Sequence, residues 1–442
     1  MAENLTEPVP VVPAEASQHV DPRLVSMFVR PEGLVGVHST LTHVVEPMRP
    51  PAENDTEFIF ELPHTGAAYV DLKNTQIFIQ GFLRRRSGEA LKDDEKVVLA
   101  NNFLYSLFDS VTVYIGNNQA EIHSPNFQHK SMIKQIMRNH VMTPNLRLQG
   151  TGFEFRSNVW ANDYEVGTDR IPWTIRSRSV EFLGPTLIDL FDTDGYLMPA
   201  CPLRIKYRKS RDSFYVVTDP SLKDVEYNFI ISKIALYTPC VNVVPALTPL
   251  LEMQTDNEPA RYDFTGLGIR QFPVTQGTIT RKYTRIFENR LPKRVLIAFY
   301  SQTAFSGSRD EAPLLTDSDI DLSKISLSVN GIGVREIMVD YDADLYTEAY
   351  KRFTDWMSAT TEGFPVLYGI FKEGYRYYAF DLMENCPETG CAEESLQTGY
   401  IDVELLFKKA TGKHAVMSVF YESPQTVEVT KERAARHITA IV

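Results

Sequence analysis

The chain is poor in the residues that build metal and redox chemistry. Its four cysteines, Cys201, Cys240, Cys386 and Cys391, are scattered through 442 residues, and only the last two are close. A zinc framework wants two short-spaced pairs or added histidines, so none is expected. Histidines are few and isolated, and no Cys/His or Ser/His/Asp grouping can be assembled from them. No nucleophile elbow, phosphate-cradling loop or paired-histidine zinc helix is present either. Gly412-Lys413 lacks the upstream glycine and the following Ser or Thr of a phosphate loop, and Gly266-Leu267-Gly268 lacks the third glycine of a dinucleotide turn. Both are read as turn glycines. The expectation is a protein with no catalytic site, no cofactor and no metal.

Basic charge is also scarce. A net charge of -12 argues against a sequence-independent grip on DNA or RNA, which needs clustered Lys and Arg to displace counterions. The basic clusters are short, Arg84 to Arg86 and then Lys206, Arg208, Lys209 and Arg211, and read as solvated strand ends or turns. No apolar run approaches the roughly 20 residues of a spanning helix, and the N-terminus carries no secretory pattern. These absences point to a reducing compartment, where the sequons at Asn4 and Asn54 stay unused.

What the chain does contain is enough apolar material for cores, 43% hydrophobic and 11% aromatic. Its length exceeds the roughly 250 to 300 residues that one core supports, so two domains are expected. Two stretches follow one script in one order. QIFIQGFL (76–83), the hairpin VTVYIGNNQAEI from Val111, a helical stretch at 126–137 and DLFDTDGYLMPACPLRIKYRKS from Asp189 make the first copy. VLIAFY from Val295, ISLSVNGIGVREI from Ile325, a helical stretch at 344–357 and the segment from Asp381 through TGYIDVELLFKKA make the second. Period-two alternation, as in FIFEL and YVDLKNTQIFIQGFL, places Phe, Ile and Val on one face of half-buried antiparallel strands. Gly116, Asn117 and Asn118 suit the first turn, and Asn330-Gly331 is the strongest hairpin signal in the chain. The helices pack by Phe127, Met132, Ile133, Ile136 and Met137, and by Leu345, Tyr346, Ala349, Tyr350 and Phe353.

Eight prolines crowd residues 1–54, with more acids than bases, so this stretch is expected to be an extended arm that joins no central ladder. A boundary falls near residue 240, among Pro239, Pro245, Pro249 and Pro259. The division is therefore an arm at 1–54, a first domain at 55–240 and a second at 241–442. Two aspartate loops invite a Ca²⁺ reading: Asp317, Asp319 and Asp321, then Asp340, Asp342 and Asp344. An EF-hand loop also wants Gly at its sixth and Glu at its twelfth position, where these loops carry Leu322 and Ser328, or Leu345 and Lys351. They are read as solvated loops, with Asp344 as a helix N-cap.

The run VVLANNFLYSLFDSVTVYIGNNQAEIHSPNFQHK (97–130) resembles the most recognisable segment of the hexon-like major capsid proteins of Polinton/Maverick elements and adintoviruses. RVLIAFYSQTAFSG, YRYYAFDL and the terminal VELLFKKATGKHAVMSVFYESPQTVEV are similar to that family as well, and together the matches span about 58–429. The resemblance implies an all-β double jelly roll, two tandem eight-stranded jelly rolls in one chain with short helical insertions. It implies a capsid protein of an icosahedral double-stranded DNA virus or virus-like transposon. Three chains would form a pseudo-hexagonal homotrimer meeting neighbouring capsomers and a penton or minor capsid protein, with no specific nucleic-acid binding. Such a protein is made in the host cytoplasm, assembled there or in the nucleus, and resides in the virion. Two alternatives are a domesticated cellular copy and a carbohydrate-binding jelly roll. The latter would show exposed Trp with paired acids, and neither Trp160, Trp173 nor Trp356 lies near a clear acid pair.

Overall fold

A computed structural model describes residues 36–62, 66–93, 95–138, 150–153, 174–222, 224–308, 314–358, 366–382 and 398–439. The first half contributes β1 (Val37–Val45), β2 (Glu57–Glu61), β3 (Tyr69–Val70), β4 (Gln76–Arg85), β5 (Val97–Leu99), β6 (Phe108–Ile115), β7 (Ala120–Ser124), β8 (Val180–Pro185), β9 (Leu203–Lys209), β10 (Val216–Thr218) and β11 (Tyr227–Val243). The second contributes β12 (Ala260–Val274), β13 (Thr280–Arg290), β14 (Arg294–Ser301), β15 (Leu322–Val329), β16 (Ile332–Met338), β17 (Tyr377–Asp381), β18 (Thr398–Phe407), β19 (Ala415–Val429) and β20 (Ala435–Thr439).

Strand order shows the duplication directly. In the first half one sheet runs β1-β11-β4-β8 and the facing sheet β2-β9-β6-β7. In the second half the sheets run β12-β19-β14-β17 and β13-β18-β15-β16. Replacing each strand by its partner in sequence turns one pair of four-strand paths into the other, and β3 and β20 each add a fifth strand to one sheet of its roll. This is the jelly-roll order, present twice. The minor strands β3, β5, β10 and β20 decorate it.

The alternation read from the sequence is the cause of the two-layer packing. In β4, Ile77, Ile79 and Leu83 are buried, and in β9 Leu203, Ile205 and Tyr207 are buried, with the residues between them facing outward. β14 departs from alternation and is buried at every position from Val295 to Ser301. It lies between β19 and β17 on one sheet, and the helix Thr347–Ser358 adds a layer there, stacking Phe353 on Tyr377 with ring centroids 5.3 Å apart. The β15–β16 turn is as expected, with Asn330 at φ 53° and Gly331 at φ 79°. The β6–β7 turn differs: Gly116 and Gln119 take the positive φ values, and Asn117 and Asn118 are used otherwise.

Three helices matter: α1 (Phe127–Arg138), α2 (Thr248–Asn257) between the rolls, and α3 (Thr347–Ser358). α1 and α3 occupy matching positions in the two copies. Leu345, expected on the apolar face of α3, lies before its start and is exposed, because Asp340 and Leu345 close a β-bridge there. The extended-arm reading of 1–54 is corrected at residues 37–45. These form β1, paired along β11 from Val37–Val243 to Val45–Leu236. None of the eight prolines falls inside β1, and the strand sits at a sheet edge, so neither obstacle applies to it.

The two cores exchange residues. Met132, Ile133 and Ile136 of α1, together with Phe153, pack into the second roll's core. In return Tyr262 and Phe264 of β12, Val427 and Val429 of β19, and Ala435 of β20 pack into the first roll's core. Each large apolar side chain so buried is worth roughly 1.5 to 3 kcal/mol. The exchange therefore joins the halves far more firmly than a wetted contact between finished domains.

Candidate functional site

The residues that looked like sites on paper are occupied within the chain. Lys413 Nζ lies 2.8 Å from Asp317 and 3.0 Å from Asp319, and Lys408 Nζ lies 2.6 Å from Asp340 and 2.9 Å from Asp342. Each aspartate pair thus converges on an ammonium that stands where a cation would sit. The Lys408 bridge holds both the Asp340 and the Asp342 carboxyls below their usual range and raises Lys408. Asp321 presents its backbone carbonyl to the Lys408 amide. Among the described residues no group of three His, Cys, Asp or Glu side chains could hold a metal ion. Asp344 is not an N-cap: it takes φ 55° in the turn before α3, and its carboxylate meets Lys372 Nζ at 2.7 Å.

Gly266 and Gly268 are corrected as well. Both lie inside β12 rather than in a turn, and a Cβ on either would run into Gln425 or the Tyr421 ring. They are glycines of close approach between β12 and β19. Gly412 does lie between strands, in the β18–β19 connection. The basic clusters are largely paired along the sheets: Arg84 with Glu53, Arg85 with Glu95 at 2.9 Å, Arg86 with Glu226 at 2.9 Å and Lys206 with Glu57 at 2.9 Å. Cys201 and Cys240 are buried free thiols, whereas Cys386, Cys391, Trp160 and Trp173 lie outside the described residues. Trp356 is buried beneath the Arg294 guanidinium, 5.1 Å from its ring, and offers no stacking platform to a sugar.

Two regions carry the distinctive chemistry. The first is the seam between the rolls. Lys134 of α1 bridges Asp189 at 2.5 Å and Asp192 at 2.9 Å, and Arg138 also pairs with Asp192. The other Asp189 oxygen accepts the Leu267 amide of β12 at 3.2 Å, so one carboxylate ties a first-roll helix to a second-roll strand. Burial disfavours the Lys134 charge, yet the two aspartates outweigh it and its pKa ends up raised. At the β6–β7 turn the Asn117 amide donates to the Arg433 carbonyl at 2.7 Å. The Asn117 side chain donates to Glu432 at 2.7 Å, and Asn118 both donates to and accepts from the Ala435 backbone. The expected turn asparagines are therefore clamps on the C-terminal segment. His129 of α1 is also fully buried. It stacks on Phe305 with centroids 4.3 Å apart and meets Tyr300 and Phe214 edge-on. Burial pushes its imidazole down to about 4, against a smaller upward pull from the Phe305 backbone.

The second region is the exposed sheet edges. β1 presents Leu41 and Val44 to solvent, and β16 presents Ile332 (73% exposed) and Met338 (64%). A free strand edge carrying apolar side chains is a template for pairing, which monomeric proteins usually blunt with charge or proline. Such edges suit contact with further chains.

Two jelly rolls joined through an exchanged core define the class: this is a double jelly-roll protein. No family model matches the chain. It is 20% identical over 395 residues to an uncharacterized protein of Caenorhabditis elegans, across 84% of this chain and 90% of that one. Among solved structures, a chain of the Sputnik virophage overlays with a TM-score of 0.59 at 11% identity, covering 98% of this chain and 94% of that one. The mavirus major capsid protein gives 0.54 at 11% identity over 100% and 97%. The Faustovirus major capsid protein gives 0.57 at 8% identity over 96% and 95%. The structural neighbours are thus double jelly-roll capsid proteins of virophages and giant viruses, and they are structural proteins rather than enzymes. At these identities the likeness is one of fold.

Proposed function

We propose that the chain is a major capsid protein whose homotrimer forms a pseudo-hexagonal capsomer of an icosahedral double-stranded DNA virus or virus-like transposon of the Polinton/Maverick and adintovirus type. The observation that carries this reading is the doubled strand order within one chain, matched along nearly its whole length by viral capsid proteins. Three such chains place six similar sandwiches around a threefold axis, while the divergence between copies lets adjacent positions make different contacts. In this reading residues 1 to about 36 form the arm, the rolls divide near residue 240, and a penton protein fills the vertices. Assembled particles are the site of residence. The apolar edges at β1 and β16 supply surface for contacts between chains.

Light scattering on the purified protein tests it, with an expected mass near three times 50.3 kDa and ring-like trimers in negative stain. A concentration-independent monomer at near-physiological salt would refute the capsomer. A second reading, a cellular copy that keeps the fold without making virions, is favoured by the worm relative. Expression that yields trimers but no closed shells, with no nuclease-protected DNA, would support it over the first.

A further inference from the structure

A cavity of about 360 Å³ lies at the seam, walled by β6, β7 and α1 of the first roll and by β12 and β19 of the second. Its wall is mostly apolar, including Val111, Val113, Ile122, Leu267 and Ile269. Into this wall the chain sets Lys130 of α1, which is 6% exposed. An ammonium has three N–H donors. Among the described residues Lys130 uses one, to Ser124 Oγ at 3.2 Å.

The Asp189 carboxylate and one nitrogen of each imidazole on the wall have partners within the chain. Asp189 is held by Lys134 Nζ at 2.5 Å and by the Leu267 amide at 3.2 Å. His123 Nδ1 pairs with Thr112 Oγ1 at 2.8 Å, and His437 Nε2 pairs with Gln425 Oε1 at 2.9 Å. Lys130 is the one charged group there with donors to spare. Burying a charge without full pairing is expensive, and a Met of similar length would fill the same space without that cost. Burial pushes the Lys130 ammonium down to about 8, with the Lys134 charge acting in the same direction and the Asp189 carboxylate pulling it partly back up.

We propose that this cavity binds a small amphiphilic monocarboxylate, with the carboxylate on Lys130 Nζ and an alkyl chain of roughly eight carbons along the apolar wall, bracing the two rolls. The class follows from the wall: Asp189 is already held by Lys134 and the Leu267 amide, which leaves the Lys130 ammonium for one anion and apolar surface for the remainder. The volume sits at the low end of the roughly 300 to 1,000 Å³ of small-molecule sites, which favours a ligand of about ten heavy atoms over a full lipid. The inference does not depend on the capsid reading.

Calorimetric titration of the full-length protein with sodium octanoate tests it, with acetate, 1-octanol and octylammonium as comparison ligands. Saturable binding of octanoate is expected, with acetate and octylammonium failing to bind and octanol binding about tenfold or more weakly. Lys130→Met should weaken octanoate at least about tenfold, and Lys130→Arg should retain much of it. Ile269→Phe, which keeps Lys130 but fills the cavity, should also abolish binding, so the result does not rest on one variant folding. Absence of saturable binding, or equal octanoate affinity in wild type and Lys130→Met, would overturn the proposal. Acetate binding as tightly as octanoate would overturn the amphiphile class.

Discussion

Acid should loosen this protein through His129, and the size of the effect can be worked out. The imidazole is fully buried against Phe305, Tyr300 and Phe214, with its pKa lowered from 6.5 to about 4. Above pH 6.5 it is neutral in folded and unfolded chains alike and contributes no pH dependence. Between pH 6.5 and 4 the unfolded chain takes up a proton that the folded chain refuses, so stability falls as pH falls. The slope is about 1.4 kcal/mol per pH unit, giving a loss of about 2 kcal/mol at pH 5 and about 3 kcal/mol by pH 4. His129→Phe keeps a ring on Phe305 and removes the titration. Urea unfolding at pH 7.5 and pH 5, at one protein concentration, measures both proteins. Other groups titrate equally in each, so the variant should lose about 2 kcal/mol less than wild type between the two pH values. Equal losses would refute the assignment of acid sensitivity to this residue.

The aspartate loops and the first strand yield two further expectations. Wild-type protein should show no change in thermal midpoint with millimolar Ca²⁺, because Lys408 and Lys413 hold the carboxylates. Lys408→Met should lower the midpoint without Ca²⁺ and regain part of it with Ca²⁺, as a ligand that binds only the folded state must do; a Ca²⁺ response in wild type, or none in the variant, would count against the lysine-for-cation reading. Deleting residues 1–45 should lower the thermal midpoint by several degrees relative to deleting residues 1–35, since only the former removes β1 from β11. Identical midpoints would show that β1 adds nothing to the sheet.

Much of the architecture was legible because the cues were local. Alternation along 76–83 and the Asn330-Gly331 turn each depend on neighbouring residues, and the structure contains both. The order of matching segments also revealed the duplication, since strand order in a jelly roll follows chain order. What escaped was set by partners distant in sequence. Nothing near Asp340 announces Lys408, and nothing near Asn117 announces Glu432. Gly268 reads as a turn residue until Tyr421 is laid against it. The prolines of residues 1–54 mask β1, which occupies the gap between Pro31 and Pro47. His129 and Lys130 look like ordinary helix residues, and part of what covers His129, Tyr300 and Phe305, lies about 170 residues further along the chain.

The exchanged cores also bear on how the protein is made. A ribosome that has released residues up to Val243 has supplied all eight strands of the first roll, yet Tyr262, Phe264, Val427, Val429 and Ala435 are still to come. Roughly 190 further residues must be synthesised before β19 and β20 can complete that core, which at about 5–20 residues per second takes on the order of 10 to 40 s. Through that interval the nascent first roll carries an open apolar wound, a period in which chaperone engagement is favoured and premature contact between chains is hazardous. A product truncated before β19 cannot heal it, so the fold itself discriminates against incomplete chains.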